Sequence, residues 1–418
     1  MVTIDRRGFM AMAGGAAVAS SLALPTLSLA AEPELTPMTS SVVPIGRAER
    51  EARIAKAQRL MQQQGISAVL IEPGASLVYF TGVRWSRSER LTGAVIPAEG
   101  PIGVFTPFFE EPSVRESLAV PADLRTWNEH DDPLRLVAGW LKERKLGAGT
   151  IGVEETVRYF AVDGLQRALP GAKIRSAASV VRPIRMIKSP AELALMQKAA
   201  DVTLAAYRYT ASRIKTGMTP AEIGAIMNGA TSRLGGRPEF ALVLLGEASA
   251  YPHGTGKPQQ VREGEVVLMD CGCTVEGYQS DISRTFVFGE PTKRQRDVWA
   301  HMRQGQQIAF EAAKPGVPAG SVDDAVRKYY GTLGYGPDYK LPGLSHRTGH
   351  GIGLEGHEPV NLVRGETTRL APGMCFSDEP GIYIPGQFGI RLEDCFYMTP
   401  SGPRWFSTPP PSLDRPFG

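Results

Sequence analysis

The sequence predicts two unlike architectures in one chain, an α/β domain over residues 47–183 followed by an α+β domain over residues 184–418. In the first half, helical and strand periodicities alternate, the order that lays helices on a sheet. In the second, a capped long helix opens near Ser189, and from Phe240 onward hairpin-like strands alternate with helices, the order of helices packed on one face of a largely antiparallel sheet. Size and composition agree with this. A chain of 418 residues, 42% apolar and 21% charged, fills two or three cores at roughly 100–200 residues per domain, which excludes disorder and a polytopic membrane protein. Lys+Arg 46 against Asp+Glu 43 leaves only +3, and the basic residues are scattered, so there is no electrostatic footprint for nucleic acid. Gly 46 and Pro 33 imply many turns.

Taken in order, Arg6-Arg7 and Phe9 lead into an uncharged, mildly apolar stretch that runs to Ala31, with small residues Ser28 and Ala30 at its end. This resembles a bacterial twin-arginine export signal over residues 1–31, which implies a periplasmic protein exported already folded; an uncleaved membrane anchor is the other reading. Residues 32–46, rich in Pro, Ser and Thr, form an extended arm. The apolar spacing from Arg47 to Gln64 is helical and Gly65 stops it. Ala68–Ile71 and then Leu77–Gly82 read as buried strands, Gly93–Phe105 continues the alternation, a helix lies near Pro133–Arg144, and Thr150–Val153 is a strand. Val180–Met186 is a connector. Ser189-Pro190-Ala191-Glu192 then carries a capping-box pattern with Pro at the first helical position. Helices are expected near 190–215, 219–234, 292–314 and 321–333. Cys271, Cys273, Cys375 and Cys395 read as buried strand residues; an oxidising compartment would permit pairing, and Cys271-x-Cys273 is a lesser metal candidate.

The chemistry-bearing residues lie in the second half. Glu265–Val287 reads as two strands about a turn near Val275–Gly277, and a register symmetric about that turn sets Asp270 opposite Asp281. Asp378–Asp394 repeats the pattern about Pro385-Gly386-Gln387, setting Glu379 opposite Glu393. Carboxylates so close in a partly buried sheet need a raised pKa or a cation between them. Between the hairpins lies His346-Arg-Thr-Gly-His350-Gly-Ile-Gly-Leu-Glu-Gly-His357-Glu358, which holds three of the chain's six histidines. His253 precedes the first hairpin in a Gly-rich loop. Four carboxylates and an imidazole suit two oxygen-preferring divalent ions, Mn²⁺ first, with Co²⁺ or Zn²⁺ as alternatives.

Together these segments resemble the pita-bread metallopeptidases, the family of Xaa-Pro aminopeptidases, Xaa-Pro dipeptidases (prolidases) and methionine aminopeptidases. The resemblance spans about residues 45 to 410 and implies an α+β pita-bread catalytic domain behind an α/β creatinase-type N-terminal domain. It implies Asp270, Asp281, His350, Glu379 and Glu393 as ligands of two ions, with Asp281 and Glu393 shared. The N-terminal domain and Arg391, two residues before the last ligand, resemble the proline-specific branch. The implied reaction is attack on the Xaa-Pro bond by a metal-bridging hydroxide, with Glu379 passing the proton, His253 holding the oxyanion and His357 contacting substrate. His346 and Arg391 would line the substrate pocket, and a homodimer is implied.

Dipeptidases of the family place an Arg shortly after the His-Glu pair as a carboxylate clamp. Here Pro359-Val360-Asn361 follows and the nearest basic residue downstream is Arg364, so substrate length stays open. The segment Arg84–Arg90 is either a reach toward a neighbouring subunit's site or a surface loop with a packed Trp85. Two alternatives remain for function. One is the same fold acting on a small non-peptide substrate, by creatine or ectoine-derivative hydrolysis or sulfonium lysis. The other is an inactive binding protein, against which the complete ligand set argues.

Overall fold

The computed structural model describes residues 35–417, so the expected export signal at 1–31 lies outside the described residues. Of the expected arm, residues 35–46 carry neither helix nor strand. The Met38 N–H donates to Leu234 O at 2.8 Å and the Thr39 hydroxyl to Gly235 O at 3.3 Å, which ties the arm to the second half of the chain. Among the described residues no helix is long and apolar enough to cross a membrane.

The first half contains α1 (Arg47–Gln64), β1 (Ala68–Ile71), α2 (Ala75–Thr81), β2 (Gly93–Pro97), β3 (Ile102–Pro107), α3 (Glu111–Ser117), β4 (Ala122–Trp127), α4 (Pro133–Glu143), β5 (Thr150–Val153), α5 (Tyr159–Ala168), β6 (Lys173–Ser176) and α6 (Ala178–Arg185). The strands form one mixed sheet in the order β4-β3-β2-β1-β5-β6. Gly65 ends α1 in the left-handed conformation (φ 64°) that any side chain would strain.

Two expectations fail here. Leu77–Gly82 is not a strand but most of helix α2, bounded by Gly74 and Gly82. Ser76, Leu77, Tyr79, Phe80 and Thr81 are all buried, and a short run that is apolar on every side has no periodicity to separate helix from strand. Likewise Val180–Met186 is not a plain connector but lies largely in α6, with Pro183 inside it. Pro183 lacks the N–H that Ser179 O would accept, and Gln64 Nε2 donates to that carbonyl instead at 3.1 Å. Val180, Val181 and Ile184 then face the core.

The second half contains α7 (Pro190–Ala211), α8 (Pro220–Arg233), β7 (Arg237–Leu245), β8 (Glu265–Val275), β9 (Tyr278–Gln279), β10 (Ile282–Phe288), α9 (Lys293–Ala312), α10 (Gly320–Thr332), β11 (Gly349–Gly351), β12 (Glu358–Leu362), β13 (Cys375–Asp378), β14 (Ile382–Ile384), β15 (Phe388–Ile390), β16 (Asp394–Thr399) and β17 (Gly402–Trp405). Capping boxes at Ser189, Thr219 and Thr292 open α7, α8 and α9. One antiparallel sheet runs β10-β8-β7 with β9 beside β8, and a second runs β12-β11-β13-β16-β17. A backbone bridge between Ser283 and Glu393 joins the two sheets. Buried Arg53 of α1 ties the halves together, reaching Glu192 at 3.3 Å and the Tyr278 hydroxyl at 3.2 Å.

The register of the first hairpin corrects a further expectation. Asp270 pairs with Ser283, so Asp281 stands opposite Gly272 and the two aspartates are diagonal neighbours on one face rather than directly opposed. The cause is the turn. Glu276 (φ 52°) and Gly277 (φ 88°) are both left-handed, as a two-residue type I′ turn requires, and this moves the hairpin's centre one residue toward the C-terminus. In the second hairpin Ile382 pairs with Ile390 and Asp378 with Asp394, the register that sets Glu379 opposite Glu393.

Candidate metal centre and active site

A cavity of about 680 Å³ opens between the two sheets, and every site residue singled out in the sequence lines it: Asp270, Asp281, His350, Glu379, Glu393, His253, His346, His357 and Arg391. Asp270 comes from β8, Asp281 from the break between β9 and β10, and His350 from β11. Glu379 follows β13 and Glu393 precedes β16. His350 Nε2 lies 3.3 Å from Glu379 Oε1, 3.6 Å from Asp281 Oδ2 and 3.9 Å from Glu393 Oε1.

Three overlapping groups place their ligand atoms within 4.8 Å of one another: Asp270, Asp281 and Glu393; His350, Glu379 and Glu393; Asp281, His350 and His357. The His350 Nδ1 faces the Gly351 carbonyl at 3.1 Å, and since a carbonyl only accepts, that nitrogen carries the proton and Nε2 presents its lone pair to the acids.

The electrostatics of the bare groups show what they lack. Burial, then Asp270 and Glu379, pushes the Asp281 carboxyl well above the usual range, and burial with Asp281 does the same to Glu393. Glu379 is pushed up to about 7, chiefly by burial. Burial holds the His350 imidazole well below its ordinary value, and so neutral. Asp270 Oδ1 and Glu393 Oε1 are buried without a hydrogen-bond partner. Orphaned carboxylate oxygens beside a neutral imidazole are a donor set that fits divalent cations.

Around this centre, most of Arg391's donors are already engaged. Nε donates to Ser283 Oγ at 3.0 Å, Nη1 to Pro252 O and the Tyr383 hydroxyl, each at 3.0 Å, and Nη2 to Asp270 Oδ2 at 2.7 Å. That leaves one N–H for a substrate. His346 is similarly tied: Nδ1 donates to Arg347 O at 2.7 Å and Nε2 accepts from the Tyr383 hydroxyl at 2.8 Å. Burial lowers its pKa to about 3, so the ring is neutral. His357 is exposed and meets the His350 ring edge-on, with centroids 4.2 Å apart. His253 is exposed on its loop.

Behind these carboxylates, fully buried Arg284 locks the hairpins together. Nη1 donates to Ser283 O and Glu393 O, each at 2.9 Å, and Nη2 to Asp394 Oδ1 at 2.7 Å. Arg284→Met strands Asp394 without its cation, and chemical denaturation is expected to show a loss of about 3–5 kcal/mol; a loss under about 1 kcal/mol would refute the lock.

The similarity to known proteins matches this geometry. The sequence pattern of metallopeptidase family M24 matches residues 194–400, and that of the creatinase/prolidase N-terminal domain matches residues 53–187. The probable dipeptidase PepE of Mycobacterium tuberculosis is 34% identical over 355 residues, covering 84% of this chain and 92% of that protein. The chain belongs to metallopeptidase family M24. An Xaa-Pro dipeptidase of Pyrococcus furiosus is 30% identical, covering 84% of this chain and 96% of that one. The crystal structure of dipeptidase PepE from Mycobacterium ulcerans superposes with a TM-score of 0.80 at 33% identity, covering 88% of this chain and 99% of the other. Prolidase from Thermococcus sibiricus gives 0.80 at 26%, covering 87% and 98%. The pita-bread domain behind a creatinase-type domain, expected from the resemblance, is the M24 architecture.

Three residues that line the cavity are absent from the sequence reading, Phe240, Gln279 and Arg347, as is buried Tyr383, whose hydroxyl holds His346 and Arg391. Arg347 sits inside the His346–His350 run, and Gln279 is two residues before Asp281, the spacing that puts both on one face, so either could have been found by position. Arg364 is turned away from the site, paired with Asp324 at 2.9 Å and with Asp338. All four cysteines are free and buried in strands, and among the described residues none joins a metal-suited group. Arg84 pairs with Glu276 at the hairpin tip of the same chain at 2.7 Å, and Trp85 packs on the N-terminal core.

Proposed function

We propose that this M24 protein is a metal-dependent exopeptidase that hydrolyses the Xaa-Pro bond of dipeptides. The observation that carries this reading is the convergence of four carboxylates and one imidazole in a single cavity that also holds Arg347. Asp270, Asp281, His350, Glu379 and Glu393 would hold two divalent ions; Asp281, Glu393 and His350 each fall in two of the groups, but only the carboxylates have a second oxygen to share, since His350 presents a single lone pair at Nε2. An oxygen-rich set with one imidazole suits Mn²⁺, with Co²⁺ or Zn²⁺ as alternatives. Such ions, when bound, make water acidic enough to attack near neutral pH and polarise a carbonyl.

The chain's own groups supply the rest. Glu379 takes the proton of the attacking water and hands it to the departing proline nitrogen. His253 donates toward the developing oxyanion from its Gly-flanked loop, and His357 contacts the substrate beside His350. The bond before proline has no N–H, so that side of the site needs no acceptor. His346, with both ring nitrogens already engaged, offers ring surface there.

Arg347 supports the dipeptide length. It lines the cavity, and its hydrogen bond is from Nη1 to the neutral Asn361 Oδ1 at 3.1 Å, which leaves its charge for a substrate carboxylate. Arg347→Met is expected to raise KM for Ala-Pro about 10–100-fold while hardly changing that for Ala-Pro amide; equal effects on both would remove the assignment. Assay of Ala-Pro against Ala-Ala, with Mn²⁺, Co²⁺ or Zn²⁺ supplied, tests the main reading, and no turnover with any of them sinks it.

Two further inferences accompany it. The Arg6-Arg7 segment exports the folded protein to the periplasm, free of the membrane once the signal is cleaved, as cell fractionation would reveal. The protein works as a homodimer, for which light scattering is the check.

A further inference from the structure

Several polar side chains in the cavity are already engaged. The carboxylates and His350 face one another, Arg391 and His346 are tied to Tyr383, and Arg347 is steered by Asn361. Gln279 is different. It is only 6% exposed, it lines the cavity, and its Oε1 is buried without a hydrogen-bond partner. Its backbone leaves it little freedom to move away: its N–H donates to Gly353 O at 2.8 Å, and it pairs with Thr274 in the sheet. A buried amide oxygen with nothing to accept from is uncommon in a folded protein and calls for an explanation.

Its place in the sheet supplies one. Gln279 at the end of β9 and Ser283 in β10 keep one register against β8, opposite Thr274 and Asp270, so with Asp281 in the break between them they share one face and stand about 7 Å to either side of that aspartate. Ser283 accepts from Arg391, which leads to Tyr383, His346 and the side of the site assigned to proline. Gln279 therefore marks the opposite end of the row. Phe240 lines the same cavity from β7 and lies over Gly272, the next residue but one along β8 from Gln279's partner Thr274; an added Cβ at Gly272 would come within 2.5 Å of the Phe240 ring. An apolar wall with one unpartnered amide describes a pocket for a side chain of moderate size carrying a hydrogen-bonding group.

We propose that Gln279 is a specificity-determining residue that hydrogen-bonds the side chain of the residue before proline, favouring amide- and hydroxyl-bearing first residues over aliphatic ones of equal volume. This rests on the Xaa-Pro exopeptidase reading above. A site with a buried polar group discriminates strongly against an analogue that leaves the group unpaired.

The test measures kcat/KM of the Mn²⁺-loaded enzyme on two near-isosteric pairs, Asn-Pro with Leu-Pro and Thr-Pro with Val-Pro, for wild type, Gln279→Leu and Gln279→Met. The polar-to-aliphatic ratio is expected to fall about tenfold in both variants. Ratios that stay within about twofold of wild type in both variants overturn the proposal. A merely structural role for Gln279 would lower the unfolding midpoint and depress all four substrates alike, leaving the ratios untouched, and that outcome also overturns it. Failure of wild type to cleave any of the four would instead overturn the exopeptidase reading, and this proposal with it.

Discussion

Glu379→Gln is expected to lower kcat for Ala-Pro by about a thousandfold or more while the protein keeps its fold. General acid–base catalysis is worth about 10²–10⁴-fold, and an amide can neither take nor return a proton. Glu379 also stands 3.3 Å from His350 Nε2 within the ligand cluster, so the substitution weakens the donor set as well. Folding should survive. Glu379 is partly exposed to the cavity, its backbone N–H remains bonded to Thr348 O at 2.9 Å, and the carboxylate it replaces is one that burial already disfavours. Steady-state kinetics with metal content measured on the same sample decides the matter. Activity within tenfold of wild type at equal metal content would remove Glu379 from proton transfer.

The second large effect is on stability. Stripping metal with a chelator at pH 8 is expected to lower the melting temperature by about 5–10 °C, and Mn²⁺ in excess of its Kd restores it. The difference narrows toward pH 5. The sign follows from the shifted groups. Asp281 and Glu393 sit well above the usual carboxylate range and Glu379 at about 7. The metal-free folded state therefore holds protons that the unfolded chain has released, and its stability falls as pH rises through about 4.5 toward 7 and beyond. The buried histidines act in the opposite sense. With His346 lowered to about 3 and His350 also depressed, the unfolded chain gains protons below about pH 6.5 that the folded state refuses, so stability is lost again on the acid side. Cations replace the protons on the carboxylates, which makes their contribution greatest where protons are scarce. A melting temperature unchanged by chelation and reconstitution across this range would remove the metal centre.

Much of the site was legible because hairpins obey local arithmetic. The Pro385-Gly386-Gln387 turn set Glu379 against Glu393, and the capping pattern at Ser189 marked the start of α7. The first hairpin differs from its expected register by one residue because Glu276 and Gly277 are both left-handed and form a two-residue turn, which a Glu at the first position does not announce. The aspartates converge nonetheless, since a diagonal pair on one face still faces one cavity. The helices α2 and α6 were missed for a different reason. Their apolar residues are buried by neighbours distant in sequence, and Gln64 satisfies the carbonyl that Pro183 cannot.

The sequence by itself determined which acidic groups and imidazole come together and on which strand faces they lie, because side-chain alternation and turn chemistry act over a few residues. Only the tertiary structure decided which of those groups are free to meet a substrate. Arg391 and His346 looked available in the sequence and are held by Asp270 and Tyr383, whereas Arg347 and Gln279 carried no signal and line the cavity, Arg347 bonded only to the neutral Asn361 and Gln279 with its Oε1 unpartnered. Whether a donor or acceptor is spare depends on partners brought from other strands by packing, and no local rule reports that.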